Sequence, residues 1–481
     1  MTDRYRVVIG LETHVQLLTK SKMFCGCSAR YADASPNSHV CPICMGMPGV
    51  LPVMNGRAID YTIMTGLALH CTIPHVSRFD RKNYPYPDLV KGYQISQYDL
   101  PLATDGWLDL DLHGETRRIG IKRVHLEEDT AKLTHATDEH GNRVSLVDVN
   151  RSGVPLMEIV SNPDLRSADE ARLYLQQLRL ILMYLGVSTG NMEEGALRCD
   201  ANISLRSERV IGEKTEIKNM NSFRAVHRAL EYEITRQTAL LDAGQPVPQE
   251  TRGWSEERQV TVAQRSKEQA HDYRYFPEPD LPPLTFTARD IDIIKERLPE
   301  LPVDREARFI ALGIRVADAR QIVQAPELAT YTDAVMATGV APQEAVNTVL
   351  SELLGMLKSR GEEIEQCRVS PAELATLVNL RLRGTISRPA SKEVLAAMVE
   401  SGQSAEDIVR SRGLASDGNM DALAAAVQAA IAAQPQAVAD FRGGKERALA
   451  ALVGAVMKQT RGKADPATVN RLLREAISTQ G

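Results

Sequence analysis

Long apolar runs, secretion signals and an excess of positive charge are all missing from this sequence of 481 residues. No run approaches the roughly 20 apolar residues that a membrane-spanning helix needs. The first residues, MTDRYRVVIGLETH, have no signal-peptide shape and predict a strand. We therefore expect a cytoplasmic protein with no membrane partner. The net charge of -5 argues against a strongly basic protein that coats nucleic acid, although one local basic patch could still contact RNA.

The common motifs of nucleotide and amide chemistry are also absent. The sequence has no GxxxxGK[ST] loop and no GxGxxG after a predicted strand. Any nucleotide would therefore be held by a metal ion, arginines and strands. No Ser-Ser-Lys triad and no convincing nucleophilic cysteine with a partner histidine is present, so we do not expect this chain to hydrolyse an amide by itself.

The seven cysteines fit a reducing compartment better than a disulfide framework. Four of them form a CxC…CxxC pattern with thirteen residues between its halves, namely Cys25, Cys27, Cys41 and Cys44. Four thiolates on two short turns suit tetrahedral Zn²⁺. Because four cysteine ligands leave no open coordination position, we predict structural zinc with no catalytic role. A redox pair or four unligated thiols are the alternatives.

The two halves of the chain differ in their hydrophobic pattern. Up to about residue 295, alternating segments such as RVVIGLETHVQL and LRCDANISLR predict half-buried antiparallel strands, interrupted by helices at 167–185 and 222–241. After the strand-breaking segment PEPDLPPL, helical spacing takes over. We predict an α+β fold with an antiparallel-sheet domain at 1–295, an all-α domain at 296–404 and a small helical tail domain at 405–481.

Acidic residues are concentrated among arginines between about 125 and 206, in a hydrophobic context. A buried carboxylate is costly unless a positive group lies against it. Several converging acids are typical of a divalent cation site, and arginines bind phosphate. Glu12 and His14 are two residues apart on the first predicted strand, so their side chains share a face. Glu127 has the same spacing from His125, and Glu158 lies in the apolar segment VPLMEIV. Each of these residues alone would more often be structural, but Glu12, His14, Glu127 and Glu158 together could hold Mg²⁺.

Three further segments could contribute polar groups. Arg198, Asp200 and Asn202 alternate along one predicted strand, although a solvated sheet face explains most such patterns. The loop at 79–102 interleaves tyrosines with cations, and this pattern suits base stacking or phosphate binding as well as it suits an ordinary surface loop. Cations exceed acids between 442 and 474, which predicts a patch that tracks phosphates, with a solvated helix surface as the alternative.

Long motifs resemble those of one family. VIGLETHVQL, FDRKNYPYPDLVKGYQISQYD, HLEEDTAKLTH, NRSGVPLMEIVS, MEEGALRCDANISLR, EIKNMNSF and DYRYFPEPDLPPL are similar to segments of the B subunit of the tRNA-dependent amidotransferases. These enzymes are heterotrimers of A, B and C subunits that form Gln-tRNA(Gln) or Asn-tRNA(Asn). The resemblance covers nearly the whole chain, including GAVMKQTRGKADPATVNRLL near the C-terminus.

The resemblance implies a cradle domain similar to glutamine synthetase that binds ATP and Mg²⁺. This domain would phosphorylate the side-chain carboxylate of misacylated Glu-tRNA(Gln) or Asp-tRNA(Asn). Ammonia, which the A subunit releases from glutamine, would arrive through a channel and displace the phosphate. The helical and tail domains would hold tRNA.

Matching the family motifs residue by residue implies roles for particular side chains. The magnesium ligands would be Glu12, His14, Glu127 and Glu158. The ammonia exit would be lined by Glu128 and Lys82. Contacts to nucleotide or phosphate would come from Arg151, Arg198, Asp200 and Asn202. Independently of these matches, the basic stretch at 442–474 predicts RNA-binding residues at Lys458, Arg461 and Lys463. Some members of the family lack the zinc cysteines, so the chemistry does not require zinc.

Two other functions fit parts of the sequence. One is a zinc-bearing RNA-binding scaffold whose partners carry out all the chemistry. The other is a self-contained small-molecule ligase of the glutamine synthetase kind, and the long helical C-terminal half weighs against it. The sequence leaves open whether the substrate is Glu-tRNA(Gln), Asp-tRNA(Asn) or both.

Overall fold

The structure is a computed structural model that describes residues 4–112, 114–207, 212–266, 273–415, 420–443, 445–460, 464 and 466–479. Backbone contacts divide the chain into two units, Met1–Pro302 and Val303–Gly481. A large N-terminal sheet and C-terminal helices confirm the predicted α+β class. The three-domain division of the sequence stays a prediction.

An eight-stranded sheet forms the centre of the first unit. In spatial order its strands are β13 (Val260–Ser266), β12 (Glu250–Ser255), β11 (Thr215–Met220), β10 (Leu197–Arg206), β1 (Arg6–Gln16), β9 (Pro155–Ser161), β6 (Glu115–Glu128) and β5 (Ala103–Leu112). Neighbouring strands are antiparallel, except that β11 and β12 run parallel.

Smaller sheets and four helices complete the described part of this unit. The short strands are β2 (Val76–Ser77) with β15 (Leu284–Thr285), β3 (Asp80–Asn83) with β4 (Tyr93–Ser96) and β14 (Phe276–Pro277), and β7 (Lys132–Thr137) with β8 (Arg143–Asp148). The helices are α1 (Gly56–Ala68), α2 (Ala168–Tyr184), α3 (Phe223–Asp242) and α4 (Ala288–Lys295).

Strand β1 shows how the large sheet acquires two different faces. Successive side chains of a strand point to opposite sides. Ile9, Leu11 and Val15 are buried in the core against α1, α2 and α3, whereas Glu12 and His14 point to the other side. Each fully buried apolar side chain of this kind contributes about 1.5–3 kcal/mol. The helices therefore cover one face, and the polar groups are left together on the opposite face.

The two helices predicted within the sheet domain are confirmed, with α2 beginning at Ala168 and α3 at Phe223. Ser167 caps α2, because its Oγ accepts a hydrogen bond from the Glu170 N–H at 3.1 Å. Ser222 caps α3 in the same way through the Ala225 N–H at 3.0 Å. A serine at this position satisfies a backbone donor that the helix itself leaves unpaired.

The second unit is helical throughout its described residues. Its elements are α5 (Pro302–Ala311), α6 (Val316–Val323), α7 (Pro326–Ala337), α8 (Pro342–Asn347), a π-helical turn (Thr348–Leu353), α9 (Leu354–Arg360), a 3₁₀ turn (Ile364–Gln366), α10 (Pro371–Leu382), α11 (Arg388–Ser401), α12 (Ala405–Arg412), α13 (Met420–Ala433), α14 (Pro435–Arg442), α15 (Ala448–Gln459) and α16 (Pro466–Thr479). Proline at the first turn starts α7, α8, α10 and α11, where its missing N–H costs nothing.

Two separate hydrophobic cores lie within this helical unit. The larger contains buried side chains from Phe309 to Val409, so α12 belongs to it. The smaller contains buried side chains from Val427 to Ile477. Among the described residues, no helix combines the length and the apolar character needed to cross a bilayer.

Candidate functional site

Three adjacent strands bring two histidines and two glutamates together on the polar face of the large sheet. In the strand register, His14 on β1 lies opposite Glu158 on β9, which lies opposite His125 on β6. His14 Nε2 is 3.5 Å from Glu158 Oε2 and 3.8 Å from Glu127 Oε1. His125 Nε2 is 3.3 Å from Glu158 Oε2. One donor atom each of His14, Glu127 and Glu158 lies within 4.8 Å of the others.

The donor chemistry of this trio fits a divalent cation. Carboxylate oxygens suit Mg²⁺, and an imidazole beside them is also acceptable to Mn²⁺ and related ions. Burial disfavours the charged imidazole of His14, but Glu158 and Glu127 outweigh it and raise the pKa of His14 to about 9. Burial likewise raises the pKa of Glu158, but His125 and His14 hold it well below its usual range. The Glu158 carboxylate therefore remains charged and could attract a cation, and His14 would have to give up its proton before it could bind that cation.

Glu12 lies on the same face but at the edge of the trio. Its Oε1 accepts a hydrogen bond from Asn202 Nδ2 at 2.9 Å, and in the register it faces Asp200 on β10. Burial raises the pKa of Glu12, and the neighbouring Glu158 adds to this effect. Of the four predicted magnesium ligands, three converge directly and Glu12 stands beside them.

Lys218 on β11 extends the polar face past β10. Its Nζ is 2.6 Å from Asp200 Oδ2 and 3.2 Å from Glu216 Oε1. The predicted polar strand residues Asp200 and Asn202 therefore lie on the expected face, one paired with a lysine and the other with Glu12. Lys218 was not among the predicted site residues, although the alternation of EIKN marked its strand.

Both predicted phosphate-binding arginines are held by a carboxylate that was not among the predicted site residues. Asp129 accepts a hydrogen bond from Arg198 Nη2 at 2.7 Å, and its Oδ1 is 3.6 Å from Arg151 Nε. Arg151 also donates to the carbonyls of Thr130 and Ala131, both at 2.9 Å. The Arg198 side chain keeps 38% of its surface exposed, so a ligand could still reach it on the polar face.

Glu128 is directed away from the trio, because adjacent strand residues point to opposite faces. Its carboxylate pairs with Lys91 and accepts a hydrogen bond from the Ile95 N–H at 3.0 Å. These residues line a cavity of about 230 Å³ that also contains Cys25 and Cys44. The cation against Glu128 is therefore Lys91, which was not predicted from the sequence.

Lys82 lies against tyrosines. Its Nζ is 4.8 Å from the ring centre of Tyr273 and 5.6 Å from that of Tyr84. Tyr275 stacks on Tyr98 with ring centres 4.4 Å apart. Burial raises the pKa of Tyr84, and the nearby Glu127 adds to it, so this tyrosine group borders the carboxylates. The repeated aromatics in NYPYP and DYRYFP were the sequence signal for it.

The four cysteines of the CxC…CxxC pattern converge. The sulfur atoms of Cys25, Cys27, Cys41 and Cys44 all lie within 4.8 Å of one another, and none of these cysteines is in a disulfide. The Cys41 N–H donates to Cys44 Sγ at 3.2 Å. The hydrogen bond from Cys25 lowers the pKa of Cys44 to about 4. This sulfur set could hold a tetrahedral zinc ion.

In the tail, only part of the predicted cationic patch falls within the described residues. Lys458 is exposed near the end of α15, whereas Arg461 and Lys463 lie outside the described residues. Three neighbouring cations are paired with acids, namely Lys445 with Asp440, Arg471 with Glu475, and Arg474 with Glu446. These pairs reduce the positive charge that the tail sequence by itself would predict.

Comparison with protein families gives two matches along the chain. A family described as the GatB/GatE catalytic domain matches residues 7–292, which contain the large sheet and both clusters of candidate ligands. A family described as the GatB domain matches residues 330–477 in the helical unit.

Three relatives that align over nearly their full length share one name. A protein from Thermomicrobium roseum is 53% identical over 479 residues, one from Moorella thermoacetica is 52% identical over 476, and one from Carboxydothermus hydrogenoformans is 50% identical over 477. Each match covers 98% of this chain and 99–100% of the relative. All three are named as the B subunit of aspartyl/glutamyl-tRNA(Asn/Gln) amidotransferase. The chain therefore belongs to the B-subunit family of the tRNA-dependent amidotransferases.

Proposed function

We propose that this chain is the carboxylate-activating component of a tRNA amidotransferase, working with an A subunit, which is a glutaminase, and with a C subunit. Its substrate would be misacylated Glu-tRNA(Gln), Asp-tRNA(Asn) or both. It would use ATP to phosphorylate the side-chain carboxylate and then pass the acyl group to ammonia from the glutaminase. The observation that carries this proposal is the convergence of His14, Glu127 and Glu158 on one sheet face.

The proposed chemistry explains why a carboxylate must first be activated. A carboxylate oxygen forms a bond to the γ-phosphorus of ATP, and the bond from that phosphorus to ADP breaks. The resulting acyl phosphate has a good leaving group. Ammonia then adds to the acyl carbon, loses a proton to solvent or a base, and inorganic phosphate departs. When bound, ATP supplies the phosphoryl group, and a divalent cation at the trio offsets the negative charge.

The chain's own residues would position these groups. His125 holds the Glu158 carboxylate from the side opposite His14, which fixes its orientation toward the ligand. Asp129 holds the Arg198 guanidinium in place, with its exposed portion available to phosphate oxygens. The fold of the first unit, a polar sheet face backed by helices, supports the implied likeness to the glutamine synthetase cradle.

Two further parts of the chain would deliver ammonia and bind tRNA. The cavity that contains Glu128 and Lys91 supplies polar groups suited to ammonia on its way to the polar face, with Lys82 among the tyrosines nearer the carboxylates. The four cysteines would hold structural zinc beside that cavity. In the tail, Lys458 would contact tRNA phosphates together with Arg461 and Lys463.

The test of this function is ATP consumption by the chain co-purified with the other two members of the heterotrimer. ADP formation should require Glu-tRNA(Gln) or Asp-tRNA(Asn), and it should vanish in Glu127→Ala while tRNA binding is largely retained. Glu139→Ala, which changes an exposed acid in the turn between β7 and β8, is the matched control and should behave as the unmodified protein. Normal turnover by Glu127→Ala would refute the metal assignment. ATP use that ignores tRNA would move the chemistry to a partner and leave this chain as an RNA-holding scaffold.

A further inference from the structure

Lys22 is a buried lysine between β1 and the first pair of cysteines. Only 1% of its surface is exposed, and it is among the largest fully buried side chains of the described residues. Lysine is almost never buried to this extent unless its charge is compensated. An ammonium group removed from water without a nearby anion costs several kcal/mol. Its position therefore calls for a compensating negative charge.

The described residues provide little compensation. The Lys22 ammonium carries three N–H donors, and one of them reaches the Val149 carbonyl at 3.3 Å. Within the described part of the chain, Lys22 forms no ion pair with a carboxylate at 4 Å or less. Glu128 lies nearby. Its Oε1 is held by Lys91 and the Ile95 N–H, whereas its Oε2 lies on the side of Lys22, 3.8 Å from the position that a Cβ at Gly153 would occupy. Among the described residues, the Lys22 ammonium therefore has one hydrogen-bond partner and no paired carboxylate.

The four-cysteine cluster lies directly beside this lysine. The Lys22 N–H donates to the Cys27 carbonyl at 2.9 Å, so the lysine backbone is tied to the first cysteine turn. Lys22, Cys25 and Cys44 line the same cavity. At Gly153, the position that a Cβ would occupy is 3.5 Å from Lys22 Cδ and 3.7 Å from Cys44 Cβ. The lysine stem, this cysteine and Glu128 therefore all border the backbone of Gly153.

We infer that Lys22 is the buried counter-charge of a zinc centre formed by the four cysteines. Four thiolates around one Zn²⁺ leave a net negative charge, which is unfavourable beneath a protein surface unless a cation lies against it. The ammonium supplies that cation from the wall of the same cavity that Cys25 and Cys44 line. Groups that surround metal ligands in this way tune the affinity of the site. The inference rests on the proposed zinc site, and it does not depend on the amidotransferase chemistry.

The experiment measures zinc affinity of the full chain by competition with a chromophoric chelator. Lys22→Met keeps the length of the side chain and removes its charge, and it should weaken zinc binding about 10- to 100-fold. Lys22→Arg keeps the charge and should stay close to the unmodified protein. Lys20→Met removes an exposed lysine two residues away and is the matched control, with no expected change.

A second measurement separates charge from packing. A packing defect would lower the melting temperature of the metal-free and the zinc-loaded protein alike. Loss of the counter-charge should instead shrink the rise in melting temperature that zinc produces. If Lys22→Met does not fold, Lys22→Gln takes its place, with Lys22→Arg as its charged reference.

Two results would overturn the inference in different ways. Zinc affinity of the uncharged variant within about threefold of the unmodified protein, a difference well under the tenfold that 1.4 kcal/mol represents, would remove the role of Lys22 alone. An unmodified chain that takes up no zinc would overturn both the zinc site and the role of Lys22. Neither result would bear on the ATP-dependent activity proposed for the polar face.

Discussion

Replacing Asp129 by asparagine should destabilise the first unit by about 2–3 kcal/mol. The carboxylate accepts from Arg198 at 2.7 Å and from Gln16 at 2.8 Å through Oδ2, and from the Thr130 N–H at 2.9 Å through Oδ1. An asparagine amide must point its NH₂ toward one of these sets of donors. Breaking a buried charge pair costs about 3–5 kcal/mol. We expect the smaller loss of about 2–3 kcal/mol for Asp129→Asn, because the Arg198 side chain is 38% exposed and water can replace part of the lost interaction.

The same substitution should change how stability depends on pH. Burial raises the pKa of Asp129, but Arg198 and Arg151 outweigh it, and the net pKa lies below the ordinary 3.8. A carboxyl group with a depressed pKa stabilises the fold above its unfolded-state pKa, and this contribution is lost as the pH falls through the folded-state value. The stability difference between the two proteins should therefore be largest at neutral pH and narrow below about pH 4.

Tryptophan fluorescence during urea unfolding can measure this effect in the full chain. The sequence has two tryptophans, Trp107 on β5 and Trp254 on β12, and both belong to the first unit. Their signal therefore follows that unit separately from the helices of the second. Asp169→Asn, which changes a 71%-exposed acid, is the control and should shift stability by less than about 0.5 kcal/mol. A loss under about 1 kcal/mol in Asp129→Asn, or one that stays constant down to about pH 3, would refute the reasoning.

Three further outcomes are expected. Gly106→Ala should destabilise the first unit by about 3 kcal/mol in a urea titration, because the new Cβ would lie 2.3 Å from a backbone carbonyl oxygen. Gly56→Ala is the control and should be neutral, because no atom lies within 4 Å of the position of its new Cβ. Arg252→Leu should cost about 2–3 kcal/mol by thermal or urea unfolding, since it removes a partner 3.1 Å from the fully buried Glu233. Lys458→Ala should weaken tRNA binding and lower the salt slope of the binding constant by about one, measured by filter binding across salt concentrations. An unchanged slope would place the RNA contacts elsewhere.

Period-two and period-3.6 patterns made much of the architecture predictable. The alternation in β1 and β10 indicated which side chains face away from the core, and serines before apolar helical segments marked the starts of α2 and α3. The cysteine spacing likewise predicted a converging set, because four thiols on two tight turns have few ways to arrange themselves. These features depend on local sequence, so one amino-acid sequence is enough to predict them.

Pairings between distant segments were not predictable in the same way. Nothing near Glu128 in the sequence indicates that Lys91 will be its cation, and nothing near Asp129 indicates that it will hold Arg198. The order of strands decides these contacts, and strand order follows from the whole core. Sequence spacing also suggested four equal magnesium ligands, whereas the sheet brings three together and leaves Glu12 beside them, bonded to Asn202.

The pairing of β1 on both of its sides limits where residues can be inserted into or deleted from the chain. The strand is paired with β10 and with β9, so it cannot slide without breaking two ladders. A single inserted or deleted residue between Arg6 and Gln16 would turn Glu12 and His14 toward the helices and bring core side chains to the polar face. The turn at 138–142 between β7 and β8 is exposed and carries no such restriction. Length differences among proteins of this fold should therefore collect in hairpin turns of that kind and be absent from the central strand.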